Sequence, residues 1–143
     1  MSPEDKHILK TTWAMVAPIS DAAAGLFYDR LFALDPSLKP LFASADMKEQ
    51  RRKLMQAIAA VINGVDHLDA LVPTLEALGR NHAGYGVTDR HYETVGAALL
   101  WTLQQGLKEA WTPAAQSAWT AAYTTVATVM RGAAGAQAAE PVA

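Results

Sequence analysis

Apolar residues in this chain recur at steps of three and four almost throughout, and that period admits helices and little else. The pattern runs through Leu9, Trp13 and Val16, then Ala24, Phe27, Tyr28 and Leu31, and returns in Leu54, Ile58, Val61, Ile62 and Val65. It continues in Leu71, Leu75 and Leu78, in Tyr92, Val95, Leu99 and Leu103, and last in Trp119, Tyr123, Val126 and Met130. Alternating segments are almost absent, so no sheet is expected.

Helix punctuation divides these stripes. Ser2 with Asp5, and Pro3 between them, makes a capping-box start; Asp35-Pro36 and Thr112-Pro113 pair a cap with a proline at the first helical position. Thr88-Asp89 opens another helix, Pro18 interrupts the first, and a corner falls at 43–46. The spacing predicts a second helix over 20–34 and a short one ending near Phe42. The result is an all-α domain over 1–131, six main helices plus the short one. The Gly, Ala and Gln tail of 132–143, with Glu140-Pro141, is expected to be disordered.

The 143 residues form one domain of ordinary size. A formal net charge of −2, with the 12 Lys and Arg dispersed except for Arg51-Arg52-Lys53, argues against a nucleic-acid partner. Absence of cysteine removes disulfides, thiolate metal sites, iron–sulfur clusters and covalent haem attachment through thiols. The charged start Met1 to His7 has no apolar core of a signal peptide, and no apolar run reaches membrane-spanning length. A cytoplasmic protein is expected.

His82 continues the Leu71, Leu75, Leu78 stripe and is followed at once by Gly84, Tyr85 and Gly86, which stop the helix. An imidazole on a buried face needs a partner, since burying a polar ring without one costs about 1–3 kcal/mol. Two partners are open at this point: a group of the protein itself, or a metal centre against the helix, for which neutral imidazole is the commonest ligand.

Four further positions bear on the choice. Gln50 and Leu54 are four apart and share a helix face, Tyr28 brings a phenol onto an inward stripe, and Phe42 stands directly before the corner. Each has a plain structural reading: Gln50 on the surface, Leu54 and Phe42 as filler, Tyr28 bonded to backbone. Their order along the chain, followed by His82 on a separate helix, makes the combination specific.

With that order, the chain resembles a globin over residues 2–131. The segments carrying the resemblance are Leu26-Phe27-Tyr28-Asp29-Arg30-Leu31-Phe32, Asp35-Pro36-Ser37-Leu38-Lys39-Pro40-Leu41-Phe42, Gln50-Arg51-Arg52-Lys53-Leu54, Gly79-Arg80-Asn81-His82 and His91-Tyr92-Glu93-Thr94-Val95-Gly96. It is similar to bacterial single-domain haemoglobins related to flavohaemoglobin haem domains, and most to the acid-tolerant Hell's Gate-type globins, through Arg52-Lys53-Leu54-Met55-Gln56 and the Leu-Gly-Arg lead into His82.

The resemblance implies a globin fold and haem b (iron protoporphyrin IX), with His82 as the iron ligand. It implies that Phe42, Leu54, Tyr92 and Val95 line the cofactor, with Phe42 wedging the porphyrin and Tyr92 beneath it near His82. Tyr28 and Gln50 become the polar pair that hydrogen-bonds dioxygen. Arg80 stays open between a propionate partner and plain surface solvation.

Two departures from the pattern stand out. The glutamate that joins the residue matching Tyr92 in flavohaemoglobins has no counterpart, the aligned stretch being Arg131-Gly132-Ala133-Ala134, and Asn81 replaces a common lysine. A weaker electron push on the metal follows, which tells against peroxidase-like chemistry. No G-x-G-x-x-G fingerprint follows the last helix, so redox turnover is expected to need an external reductase.

The function expected from this is reversible dioxygen binding at a pentacoordinate or weakly hexacoordinate haem iron, with CO and NO as further ligands. Tight retention by two donors suits scavenging or sensing better than bulk oxygen transport. Nitric oxide dioxygenation with a separate reductase is the alternative, and a haem-free stress-sensor domain of globin fold is a third reading, which His82 and Phe42 disfavour.

Overall fold

The computed structural model describes the backbone of residues 1–84 and 86–139, and side-chain surroundings as far as 133. Among these residues the regular structure is entirely helical. Helix α1 spans Pro3–Val16, α2 Ser20–Leu34, α3 Met47–Asn63, α4 Leu68–Gly84, α5 Asp89–Leu107 and α6 Pro113–Ala139, with short 3₁₀ turns at Ala17–Ile19, Pro36–Phe42, Val65–His67 and Lys108–Ala110.

Local chemistry sets these limits. Ser2 Oγ accepts from the Asp5 N–H, and Asp5 Oδ2 accepts from the Ser2 N–H, both at 3.1 Å, so the first orphan amides of α1 are satisfied reciprocally. The Asp46 carboxylate accepts from Lys48 and Glu49 and starts α3. Helix α5 carries a capping box in which the Thr88 N–H donates to His91 Nδ1 at 3.0 Å. Helix α4 ends at Gly84, and Gly86 supplies a φ of +88°, which a side chain would strain. Tyr85 lies outside the described residues.

Helical backbone continues beyond Arg131 to Ala139, because alanine carries no side-chain entropy penalty and propagates a helix past the isolated Gly132 and Gly135. Glu140 and Pro141, in the expected tail, lie outside the described residues.

The main core joins Leu9, Trp13 and Val16 of α1 to Ile62, Val65, Leu103, Leu107, Trp119 and Ala122. Within it the Trp119 indole N–H donates to Thr12 Oγ1 at 2.9 Å, which gives the buried indole a partner across α1 and α6. Helix α4 lies against α6 at very close range. A Cβ placed on Gly79 would stand 2.2 Å from the Met130 carbonyl oxygen and 2.7 Å from its Cα, so only glycine allows this approach. Gly96 does the same for α5, where a Cβ would meet the Tyr123 ring at 2.8 Å. Among the described residues no single helix is long and apolar enough to cross a membrane.

Candidate functional site

Two smaller apolar clusters flank α5, and the candidate residues divide between them. Phe27, Tyr28, Leu31, Leu38 and Ala98 form one, with Phe42, Leu54 and Val95 packed on its margin. Leu75, Tyr92, Ala127 and Met130 form the other, with Leu71, Leu78 and Tyr123 against it. Tyr92 and Val95 are three apart on α5, one on each cluster, so a single helical turn connects them.

Tyr28 is buried because α2 turns the face of Ala24, Phe27, Tyr28 and Leu31 inward. Its ring meets Phe27 edge-on at 5.0 Å and Phe42 edge-on at 5.6 Å. Phe42 is held there by the 3₁₀ turn, which the Asp35 carboxylate caps by accepting from the Ser37 N–H. Burial pushes the Tyr28 phenol up to about 12, so it keeps its proton at neutral pH and acts as a donor. That donor has only a long bond, 3.5 Å, to the backbone carbonyl of Gln50. Gln50 thus meets Tyr28 through its main chain and not through its amide side chain. Gln50 itself is half-buried in the first turn of α3, one turn ahead of Leu54.

His82 lies in the last turn of α4, half-buried, with Nδ1 2.6 Å from the Leu78 carbonyl oxygen. A carbonyl only accepts, so Nδ1 carries the ring proton and Nε2 of the neutral imidazole presents a lone pair. The tautomer is thus fixed by the main chain of the same helix. Arg80, two residues earlier, is exposed.

The Tyr92 hydroxyl is buried and has no partner among the described residues. Its backbone carbonyl accepts from the Tyr123 hydroxyl at 2.5 Å. Burial raises the Tyr92 phenol, opposed by the Arg131 charge and assisted by Asp89. Those two residues pair across α5 and α6, Arg131 Nε donating to Asp89 Oδ1 at 3.2 Å. An Arg–Asp pair thus lies beside Tyr92 where the sequence pattern calls attention to a missing glutamate. Sequence reading did not find the Tyr123–Tyr92 bond or the close approach at Gly79. An isolated glycine inside a strongly apolar helix is a usable sign of the second, while nothing in the spacing marks the first.

Among the described residues no three His, Asp or Glu side chains converge on a point that could hold an ion.

The family model for Globin matches residues 25–130. The chain belongs to the globin family. It is 34% identical to a flavohemoprotein of Vibrio cholerae over 125 residues, covering 86% of this chain and 32% of that protein. A flavohemoprotein of Bacillus subtilis is 32% identical over 128 residues, with 88% and 32% covered. A neuroglobin of Danio rerio is 30% identical over 143 residues, covering 91% of this chain and 90% of that protein. The globin chain spans about a third of the length of the flavohemoproteins it matches.

Proposed function

We propose that this globin holds haem b through His82 and binds dioxygen reversibly, next to Tyr28. The observation that carries the reading is the His82 tautomer: with Nδ1–H donated to the Leu78 carbonyl at 2.6 Å, Nε2 is the ring nitrogen left to ligate a metal. The bound group would supply an iron with an open position for a diatomic ligand.

The other residues present fit that group. Phe42 offers a flat ring at the corner before α3, and Leu54 and Val95 offer apolar wall on the same cluster. Tyr92, with its hydroxyl buried and unpartnered among the described residues, offers a polar contact beneath. Tyr28 contributes a protonated phenol whose present bond is long enough to be given up for a better acceptor. A partly negative diatomic is such an acceptor, and a charge-assisted bond to it contributes about 1.5–3 kcal/mol. Gln50 would add a second, weaker donor, because ordering a long amide side chain costs more entropy.

Nitric oxide dioxygenation with an external reductase is the second reading, favoured by the similarity to flavohemoproteins. Nitrate formation from NO, measured with and without an added reductase, separates it from simple oxygen binding.

The oxygen-binding reading is tested by ligand release from the reconstituted protein. Tyr28→Phe keeps the packing and removes the donor, so oxygen dissociation is expected to accelerate about 10- to 150-fold, the factor equivalent to 1.5–3 kcal/mol. Carbon monoxide carries little negative charge on its outer atom and should leave at nearly the same rate. Gln50→Leu should act in the same direction and less strongly. Equal acceleration for both gases would mean that Tyr28 only shapes the pocket.

A further inference from the structure

A groove of about 360 Å³ opens between the end of α1, the start of α2 and the middle of α3. None of its lining residues belongs to the clusters around Tyr28 and Tyr92. Its size falls within the range of small-molecule sites, about 300–1,000 Å³. The floor is apolar, made by Trp13, Ala17, Met55 and Ala59, while Arg51 and Asp21 stand at the rim.

The rim is polarised. Arg51 is largely covered, with 29% of its side chain exposed, and its stem passes 4.0 Å from where a Cβ of Gly25 would be, so α2 leaves room for it. Its Nε donates to Asp21 Oδ1 at 3.2 Å, but Asp21 is 82% exposed and engages only that one nitrogen. The two Nη groups make no hydrogen bond among the described residues, which leaves the forked end of the guanidinium available. Arg52, by contrast, has both Nε and Nη2 on Glu49.

An apolar floor with a free guanidinium fork at its edge matches one ligand chemistry. We propose that this groove binds an amphipathic monocarboxylate, its alkyl chain on Trp13, Met55 and Ala59 and its carboxylate accepting from the Arg51 Nη groups. A carboxylate meets such a fork in parallel N–H···O bonds, which a hydroxyl cannot reproduce. Arg51 and Met55 each adjoin a residue of the proposed gas-binding side, Gln50 and Leu54, on the same helix. An occupant therefore braces α3 against α2, the two helices that carry Gln50 and Tyr28. The groove stands independently of whether haem is bound.

The test uses the full chain with ¹³C-labelled methionine methyl groups, in the form in which it is purified, titrated with octanoate and separately with octan-1-ol. The Met55 methyl, assigned with Met55→Leu, is expected to shift saturably with one octanoate per chain, while Met47 beside Tyr28 and the exposed Met15 stay fixed. Arg51→Gln should weaken octanoate at least tenfold and leave octan-1-ol unchanged. Ala59→Phe, which fills the floor from a helical position, should abolish the shift. No saturable shift at Met55, a shift centred on Met47, or equal affinity for acid and alcohol would each overturn the proposal.

Discussion

Gly79→Ala is the smallest change that reaches the architecture of the His82 helix. The added methyl would stand 2.2 Å from the Met130 carbonyl oxygen and 2.7–2.8 Å from two more atoms of the same residue's main chain. Those are backbone atoms of α6, so no side chain can rotate aside, and α4 must move off by roughly 1 Å to reach ordinary contact. Overpacking of this kind costs about 1–3 kcal/mol and more where the backbone must yield, so about 3 kcal/mol is the appropriate figure. Replacing a helical glycine by alanine returns about 1 kcal/mol of propensity. The net expectation is a loss of about 2 kcal/mol, or about 6–8 °C in Tm for a chain of this length. Gly132→Ala is the control, because nothing lies within 4 Å of its Cβ position and only the propensity gain remains. Urea and thermal unfolding of the two variants beside the parent protein read the difference directly. Because Gly79 is three residues before His82 on the same helix, haem retention in Gly79→Ala should fall as well. A Gly79→Ala protein as stable as the parent would refute the close packing of α4 on α6.

Stability should also fall in alkali. The Tyr28 phenol is raised from 10.0 to about 12 by burial, so its contribution is complete below pH 10 and is lost as pH rises from there through about 12. The loss amounts to about 2–3 kcal/mol, and circular dichroism against pH should show Tyr28→Phe spared that part of the decline. Lys108, the first residue of the 3₁₀ turn after α5, has a φ of +51° that a side chain disfavours, so Lys108→Gly should raise stability by about 1 kcal/mol in urea unfolding.

Helix limits were legible because their signals are local. The capping residues Ser2 and Thr88 lie within three positions of the amides at their helix starts, and the predicted 20–34 helix matches Ser20–Leu34. Helix α6 runs on past Gly132, where the flanking alanines propagate it, so a lone glycine is a weak stop signal. Depth was harder to read than period. Of the stripe Leu71, Leu75, Leu78 and His82, only Leu75 is fully buried, because periodicity tells which face turns inward and not how completely a neighbour covers it. At the candidate site, Tyr28, Phe42, Leu54 and Val95 were singled out by resemblance over five short segments, and that they share one apolar cluster is seen only in the fold. Hydrogen bonds across helices, such as Tyr123 to the Tyr92 carbonyl and Arg131 to Asp89, depend on inter-helix distances that no single stripe encodes.

The central claim is that His82 Nε2 holds a haem iron, and absorption with resonance Raman spectra of the parent protein and His82→Ala after haem addition tests it most directly. His7 is exposed, His67 lies in the 3₁₀ turn before α4 and His91 is engaged in the cap of α5, so none stands in for it on the α4 face. The parent protein should show a Soret band and an iron–histidine stretch in the ferrous form, and His82→Ala should lose that stretch and release haem. Full haem occupancy with unchanged iron–histidine bands in His82→Ala would contradict the account.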